Sequence, residues 1–319
     1  MSIIARAHRP ALDRAKFRDP DRTAKGEPRA LVALDRLATL WFNTGTLCNL
    51  TCANCYIESS PTNDRLAYLS LDEVEGFLDE IAERRLPTTM IGFTGGEPFM
   101  NPDFLAMVEL CLERGYQVLI LTNAMRPMMK QADRLKPLGL RFGAKLTLRV
   151  SLDHYAQALH ETERGPRSWR PAVHGLTWLA ANGFNLHVAG RLKWGETEEL
   201  ARAGYARLFD TLGVAIDATD PRALVLFPEM DATLDVPEIT TACWGILNVD
   251  PKTVMCATSR MVVKRKGAAA PRVVACTLLP YDPAFELGAN LAESDRPVAL
   301  NHPHCARFCV LGGGSCSAA

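Results

Sequence analysis

The stretch of sequence that decides the fold is residues 38–55, which read ATLWFNTGTLCNLTCANC. It opens with an apolar run over 38–43 that predicts a short strand. It continues into a loop with the cysteine pattern Cys-x3-Cys-x2-Cys, formed by Cys48, Cys52 and Cys55. A strand that ends in a cluster of potential ligands is typical of α/β proteins, whose chemistry gathers at the carboxyl ends of their strands.

The chain around this stretch, from about 37 to 230, alternates short apolar runs with helical periodicity. One helix begins at Ser70, whose hydroxyl can form a capping box with Glu73. Further strands are predicted at 88–93, 117–121, 146–152, 184–192 and 223–227. Six strands separated by helices indicate parallel βα units, which fit either an open doubly wound sheet or a full or partial (β/α) barrel.

Candidate functional residues follow successive strands, and this distribution favours the barrel. They are Gly95, Gly96, Glu97 and Pro98 after the second strand, Asn123 after the third, Asp153 after the fourth, and Arg191 at the end of the fifth. In a barrel the strands point these residues toward one shared site. The sequence therefore predicts one site assembled from several loops.

Composition and charge exclude several classes of protein. The 319 residues are 48% hydrophobic and 23% charged, as in ordinary globular proteins, and the 36 basic residues balance the 36 acidic ones. This balance argues against a nucleic-acid or anionic-membrane partner. No apolar run reaches the eighteen or so residues of a membrane span, and the first ten residues lack the apolar core of a signal peptide. We therefore expect a cytoplasmic protein.

Ten cysteines in a protein expected in the cytoplasm indicate metal or redox chemistry rather than disulfides. Thiolates are soft ligands that select zinc, copper(I) or iron–sulfur clusters. Three ligands on one loop leave one corner of a four-iron cluster open, and an open iron suits catalysis. Zinc completed by a distant fourth ligand remains the alternative.

The chain divides into three predicted parts: a charged lead-in at 1–36, the barrel at 37–230, and a cysteine-rich domain at 231–319. The lead-in is expected to be extended or partly ordered. Helical periodicity disappears in the last part, whose core looks thin enough to need a metal or disulfide. Its cysteines are Cys243, Cys256, Cys276, Cys305, Cys309 and Cys316.

Two motifs together resemble the radical S-adenosylmethionine (radical SAM) superfamily: the Cys-x3-Cys-x2-Cys loop and Gly95-Gly96-Glu97-Pro98. A further similarity is the run 150–153 (VSLD) followed by 160–165 (HETERG). The resemblance implies a partial (β/α)6 TIM-like barrel. It also implies a catalytic [4Fe–4S] cluster on Cys48, Cys52 and Cys55, whose open iron binds S-adenosylmethionine (SAM). Reductive cleavage of SAM would then give a 5′-deoxyadenosyl radical that abstracts a hydrogen atom from a substrate.

The remaining candidates are interpreted as SAM-binding residues, each with a simpler alternative. Gly95 and Gly96 let the backbone approach a ligand, or merely form a turn. Glu97 can accept a hydrogen bond from the ligand ammonium group. The other candidates are Asn123, Ser151, Asp153, Arg164 and Arg191, which could instead be a strand end, a helix cap or surface arginines.

One position departs from the family pattern. The family usually has an aromatic residue just before the third cysteine, near the adenine, whereas this chain has Asn54 there and Tyr56 two positions later. The departure puts adenine contacts from this loop in doubt and leaves the cysteines unaffected.

The last part resembles the SPASM and twitch extensions of radical SAM enzymes, which hold auxiliary iron–sulfur clusters. Six cysteines are too few for two four-thiolate clusters, so one auxiliary [4Fe–4S] cluster is expected, chiefly on Cys256, Cys276, Cys305 and Cys309. Cys243 and Cys316 are further candidates. The histidines beside Cys305, at 302 and 304, are interpreted as surface residues, and a zinc ribbon is the alternative for the region.

Three functions compete at this point. The first is a radical SAM enzyme that modifies a peptide or protein, the second an enzyme acting on a small metabolite or cofactor precursor, and the third a non-catalytic iron–sulfur redox protein. The auxiliary-cluster resemblance favours the first, since that extension is frequent among peptide modifiers. It also implies an electron donor such as flavodoxin or ferredoxin. The open ligand position and Glu97 disfavour the third.

Overall fold

A computed structural model describes residues 10–314 of the chain. Its strands are β1 (Leu31–Val32), β2 (Thr39–Asn43), β3 (Met90–Thr94), β4 (Gln117–Thr122), β5 (Leu146–Ser151), β6 (Asn185–Leu192), β7 (Leu224–Pro228), β8 (Ser259–Val263), β9 (Arg272–Val274), β10 (Glu286–Gly288) and β11 (Val298–Ala299). Its helices are α1 (Leu71–Glu83), α2 (Phe104–Glu113), α3 (Arg126–Met129), α4 (Ala132–Phe142), α5 (Gln157–Arg164), α6 (Trp169–Ala181), α7 (Glu198–Leu212) and α8 (Cys243–Leu247). A π-helical segment follows at Cys305–Val310. No helix within residues 10–314 is long and apolar enough to cross a membrane.

Six parallel strands form the centre of the main sheet, and the prediction of parallel βα units is confirmed. Strands β2 to β7 lie side by side in chain order, and each neighbouring pair is parallel. The order ends at β7, as in a partial barrel. Because the strands run parallel, their carboxyl ends and the loops that follow them meet at one edge.

The elements differ from their prediction in three places. Helix α5 is not assigned from the sequence, and the run at 245–249, whose composition predicts a short β-like segment, belongs instead to the short helix α8 and the turn after it. Helix α8 ends where Asn248 adopts the left-handed conformation, with φ of 51°. The second predicted strand begins at Met90 rather than at 88, and just before it the Thr88 hydroxyl donates to the Leu37 carbonyl at 2.8 Å.

Local sequence signals explain the best-predicted element, helix α1. The Ser70 hydroxyl accepts from the Glu73 backbone N–H at 3.3 Å, and the Glu73 carboxylate accepts from the Ser70 N–H at 2.9 Å. This capping box satisfies donors that the helix end would otherwise leave unpaired. Val74, Leu78 and Ile81 then bury one face of the helix against the sheet.

Alternation along the strands separates two buried layers. On β5, Leu148 and Val150 belong to the core between sheet and helices, whereas Arg149 and Ser151 line the interior cavity. On β4, Ile120 belongs to the outer core and Leu121 lines the cavity. The two-residue period of a strand thus places a polar and an apolar wall inside the barrel.

The cysteine-rich part of the chain extends the main sheet. Strand β8 pairs in parallel with β2, with Trp41 opposite Met261, and β9 and β10 continue the sheet in antiparallel fashion. Barrel residues contribute to its core: Trp41 and Leu119 pack with Met261 and Phe308 in a second apolar cluster, separate from the one between the sheet and the helices. The division into domains at residue 230 stays a prediction.

Residues 10–36 pack against the C-terminal region, and the extent of the lead-in stays a prediction. Strand β1 pairs with β11, and Arg29 forms an ion pair with Glu238 at 2.6 Å. Both side chains of this pair are almost fully buried, at 0% and 5% exposure. Residues 1–9 and 315–319 lie outside the described residues, so the prediction for Cys316 falls there too.

Candidate functional site

One cavity lies at the carboxyl ends of the parallel strands. It has about 1070 Å³ of space, measured to include its open mouth. Most of the predicted site residues line it together: Cys48, Cys52, Cys55, Gly95, Gly96, Asn123, Ser151, Asp153, Arg164 and Arg191. Glu97 is not among its lining residues and lies behind the wall. The structure therefore brings the loops after β2, β3, β4 and β5 to one place.

The three cysteines of the first loop are unpaired thiols beside the cavity. Burial, followed by the charge of Glu97, raises the pKa of Cys48 to about 12. Burial likewise raises the pKa of Cys52, while the charge of Arg164 opposes the shift. These thiols ionise when a cation compensates their charge, which is how metal ligation and deprotonation are coupled.

Hydrogen-bond donors already point at two of the sulfurs. The Leu50 N–H lies 3.4 Å from Cys48 Sγ, and the Ser59 N–H lies 3.3 Å from Cys55 Sγ. Such N–H···S contacts stabilise thiolates and tune iron–sulfur clusters. Three thiols on one loop, two of them with oriented N–H donors, fit a [4Fe–4S] cluster with one open corner.

The two glycines after β3 are required by a close approach of the chain to itself. A Cβ at Gly95 would lie 2.6 Å from the Gly45 carbonyl oxygen, and Gly95 has φ of +141°. A Cβ at Gly96 would lie 2.1 Å from the Leu47 carbonyl oxygen, and the Gly96 N–H donates to the Gly45 carbonyl at 2.8 Å. Only glycine allows this contact, so the pair positions the cysteine loop. Their contact with a ligand stays a prediction.

Glu97 is fully engaged by the protein. Its Oε1 accepts from the Thr122 hydroxyl at 2.8 Å, and its Oε2 accepts from the Asn123 N–H at 2.8 Å. The side chain is buried, and burial raises its pKa to about 7 despite these bonds. Glu97 thus ties the loop after β3 to the end of β4. Its contact with a ligand ammonium group stays a prediction.

Asn123 connects the end of β4 to the cysteine loop. Its Nδ2 donates to Asn49 Oδ1 at 3.0 Å and lies 3.9 Å from Cys48 Sγ. Its Oδ1 accepts from the Met125 N–H at 3.0 Å, which orders the turn that follows the strand. The side chain is therefore held in a fixed orientation at the cavity wall.

Asp153 and two arginines form the charged wall of the cavity. Arg164 Nε donates to Asp153 at 2.6 Å, and Arg191 Nε donates to the same carboxylate at 3.2 Å. Burial opposes ionisation of Asp153, but the two arginines outweigh it and hold its pKa below the ordinary value. Both arginines are held in this network with only 12% and 15% of their side chains exposed, so they are not ordinary surface residues. Their pairing with a ligand carboxylate stays a prediction.

Asn54 and Tyr56 occupy the two positions where the sequence departs from the family pattern. The Asn54 side chain points to Glu163, with Nδ2 2.9 Å from Oε2. Tyr56 lines the cavity. The aromatic side chain of this loop thus reaches the cavity from the later position.

Sequence reasoning missed a buried cation and an apolar wall. Arg149 lines the cavity, and its Nη2 lies 3.5 Å from His187 Nδ1. Burial and the charge of Arg149 lower the pKa of His187 to about 4. The two-residue period of a strand could have revealed Arg149, because it lies two residues before the candidate Ser151 and therefore on the same face of β5. The apolar wall comprises Leu121, Ala189, Phe227, Pro228, Met230, Leu278 and Phe308.

The described C-terminal cysteines lie in or against the second apolar cluster. Cys256 and Cys305 are buried, and burial raises the pKa of Cys256 to about 11. Burial raises the pKa of Cys305 well above its usual value, and the charges of Cys276 and Cys256 raise it further. Three of the predicted auxiliary ligands are therefore close enough to influence one another, and Cys309 lies one π-helical turn after Cys305.

The two histidines beside Cys305 are not the surface residues that the sequence suggested. His304 is buried, and its ring lies 4.7 Å from the ring of His302. Burial lowers the pKa of both to about 4, so both are neutral near pH 7. Between residues 10 and 314, no three His, Cys, Asp or Glu side chains are arranged to hold a single metal ion.

A parallel βα sheet with a cysteine loop and a polar cavity at its carboxyl edge defines a class of cofactor-dependent α/β domains. Residues 42–192 match the model of the Radical SAM superfamily. Over these residues the chain is therefore similar to the radical SAM superfamily domain. Enzymes of this superfamily use SAM and a [4Fe–4S] cluster.

Two curated relatives illustrate the similarity in sequence. The antilisterial bacteriocin subtilosin biosynthesis protein AlbA of Bacillus subtilis is 28% identical over 143 residues, which is 44% of this chain and 30% of AlbA. The mycofactocin maturase MftC of Mycobacterium tuberculosis is 30% identical over 151 residues, which is 47% of this chain and 36% of MftC. The match thus spans about a third of the length of these relatives.

Two solved structures illustrate the similarity in fold. Streptococcus suis SuiB bound to SAM has a TM-score of 0.58 and 12% identity, covering 80% of this chain and 64% of SuiB. The protein anSMEcpe with bound AdoMet has a TM-score of 0.54 and 14% identity, covering 80% of this chain and 76% of that one. At these identities the likeness concerns the fold, and it extends beyond residues 42–192.

Proposed function

We propose that the protein is a radical SAM enzyme that abstracts a hydrogen atom from a peptide or protein substrate. The observation that carries the proposal is the convergence of Cys48, Cys52, Cys55 and the Asp153 network on one cavity. When bound, the cluster and SAM supply the one-electron cleavage that creates the hydrogen-abstracting radical. The chain's own residues bind, orient and shield these partners.

The residues divide this work between two walls. Cys48, Cys52 and Cys55 would hold three corners of the cluster and leave one open. The charged wall around Asp153 offers fixed donors and one carboxylate for the polar end of SAM. The apolar wall, with Phe227 and Phe308, excludes water from the space beside it.

The peptide substrate is supported by what the similar proteins are called. AlbA is named for the biosynthesis of a bacteriocin, and one SuiB structure contains the precursor peptide SuiA. The second candidate, a small metabolite, is favoured by the 25% identity over 156 residues to the AdoMet-dependent heme synthase of Methanosarcina barkeri. Mass spectrometry distinguishes them: a synthetic peptide encoded beside the gene should change mass in the presence of enzyme, SAM and reductant, whereas a tetrapyrrole should not.

We also propose one auxiliary [4Fe–4S] cluster on Cys256, Cys276, Cys305 and Cys309, with Cys243 and Cys316 as further candidates. The packing of these four cysteines in or against one apolar cluster supports this assignment. A small electron-transfer protein such as flavodoxin or ferredoxin would supply electrons to the enzyme.

The experiment that tests the enzymatic proposal replaces Cys48, Cys52 and Cys55 together with alanine. Reduced wild-type protein should convert SAM to 5′-deoxyadenosine, and the triple variant should form none. It should also lose about four iron per chain, since a cubane holds four. Cleavage that survives in the triple variant would overturn the proposal.

A further inference from the structure

Glu163 belongs to helix α5, yet its contacts are with the cysteine loop. Its Oε1 accepts from the Asn54 backbone N–H at 2.9 Å, and its Oε2 accepts from Asn54 Nδ2 at 2.9 Å. The Glu163 backbone carbonyl accepts from the Ala53 N–H at 2.8 Å. Ala53 and Asn54 are the two residues between Cys52 and Cys55. One residue of α5 therefore holds the whole segment that separates two of the three sulfurs.

The other side of the Glu163 carboxylate is fixed by β6 and the residue that follows it. Lys193 Nζ lies 2.6 Å from Oε2, and Arg191 Nη1 lies 3.6 Å from Oε1. The Glu163 side chain has 0% exposure and its two cationic partners 14% and 15%, so solvent screens these charges less than it screens a surface pair. Burial opposes ionisation of Glu163, but Lys193, Arg191 and Asn54 hold its pKa below the ordinary value. The acceptor of the loop is thus a charged, immobile carboxylate.

The same network reaches the cavity wall. Arg191 Nη2 donates to the Asn54 carbonyl at 3.3 Å while its Nε donates to Asp153 at 3.2 Å. Arg164, the neighbour of Glu163 in α5, donates to Asp153 from the other side. The cysteine loop and the predicted SAM-binding wall are therefore joined through adjacent residues of one helix.

We propose that Glu163 is a positioning residue that fixes the 52–55 segment so that the Cys52 and Cys55 sulfurs can ligate one cluster. Asn54, which stands where the family has an aromatic residue, is the side-chain partner that makes this contact specific. The inference rests on the proposed function, because it concerns the loop that would hold the catalytic cluster. Neighbours that orient ligands typically contribute 10–100-fold to metal affinity.

The test measures iron retention by the first site, independently of turnover. Full-length wild type, Glu163→Ala, Glu163→Gln and Asn54→Ala are reconstituted anaerobically, and iron is titrated away with a chelator. Glu163→Ala should release the first cluster's iron at 10–100-fold lower chelator concentration. Glu163→Gln keeps one oxygen acceptor and should show a smaller change. The double Asn54→Ala, Glu163→Ala variant should release iron at the same chelator concentration as Glu163→Ala alone, because both substitutions remove the same contact.

A spectroscopic measurement separates positioning from general stability. The electron paramagnetic resonance signal of the reduced first cluster should change in Asn54→Ala, which leaves Glu163 paired with Lys193. Glu75→Ala is the matched control, because Glu75, on helix α1, forms a partly exposed ion pair with Arg114 at 2.7 Å. Its iron retention and spectrum should equal those of wild type.

Two results overturn different parts of the argument. Wild-type iron retention and an unchanged spectrum in both Asn54→Ala and Glu163→Ala would overturn the positioning role. A Cys48, Cys52, Cys55 triple alanine variant that keeps the wild-type iron content would instead overturn the proposed function, since the loop would then hold no cluster.

Discussion

The two cysteine-rich regions of this chain are built on opposite principles. The first loop is surrounded by oriented polar groups, with N–H donors 3.3–3.4 Å from its sulfurs and a bidentate contact from Glu163. The C-terminal cysteines lie in an apolar cluster beside Phe308 and Met261. A pre-organised polar site holds its ligands in place before a cofactor arrives. Burial raises the thiol pKa in both regions, so ligation at either site requires proton release as the metal binds, and the two sites differ in the polar contacts that orient the first loop.

The test with the largest expected effect removes the proposed ligands of the apolar site. Replacing Cys256, Cys276 and Cys305 together with alanine should lower the iron content by about four per chain, because these thiols would hold one cubane. Reductive cleavage of SAM should persist, because the first loop is intact. Iron analysis and assay of 5′-deoxyadenosine check both statements. Zinc in place of iron in the variant that lacks the first three cysteines would make the region a structural zinc module.

The next test concerns the charged wall of the polar site. Asp153→Asn leaves the Arg164 guanidinium buried without its carboxylate, and breaking a buried pair in this way costs about 3–5 kcal/mol of unfolding free energy. Urea unfolding of the metal-free protein measures the loss. Glu113→Gln, which breaks a half-exposed pair with Arg141 at 2.8 Å, should cost at most about 1 kcal/mol. Equal losses in the two variants would contradict the structural difference between the pairs.

A third test uses pH. Burial raises the pKa of Glu97 from 4.5 to about 7, so the folded state binds a proton that the unfolded state has released between these values. The contribution of Glu97 to stability is therefore complete below about pH 4.5 and falls by about 3 kcal/mol as pH rises to 7. Glu97→Gln, which resembles the protonated acid, should lack this decline in the metal-free protein.

Comparing the pH dependence of stability in wild type and in Glu97→Gln separates the effect of Glu97 from that of other buried titratable groups. Burial lowers the pKa of His160, His187, His302 and His304 to about 4, and these histidines make stability rise with pH in both proteins. The difference in unfolding free energy between Glu97→Gln and wild type, measured from pH 4 to 8, should therefore change sign or magnitude across pH 4.5–7. A constant difference would show that Glu97 does not titrate in this range.

The smallest expected effect lies outside both cysteine regions. Ser70→Ala removes the capping box of α1 and should cost about 1 kcal/mol of unfolding free energy. Iron content and the spectra of both sites should stay as in wild type. Loss of iron in this variant would indicate that the cluster sites respond to any loss of stability, which would weaken the contrast between them.

The sequence predicts the local features of this molecule better than its long-range contacts. The capping box of α1 and the six parallel strands follow from signals within a few residues. Arg149 was detectable from the strand period but lacked a motif to draw attention to it. Glu163 carried no local signal, because its role depends on α5 and β6 packing against the cysteine loop. The pairing of β8 with β2 likewise cannot be predicted from periodicity, which indicates that a strand forms but not which strand it pairs with.

That last pairing bears on the order of folding. Thr39 lies opposite Ser259, so β2 meets its β8 neighbour across 220 residues of chain (259 − 39). Pairings between such distant residues raise the contact order and slow folding, because the chain loses loop-closure entropy before the contact stabilises it. On the ribosome, the strand that leads into the first cysteines emerges long before β8 and keeps one open edge until β8 has been synthesised. The strand beneath the cysteine loop is therefore paired on both sides only after β8 has formed.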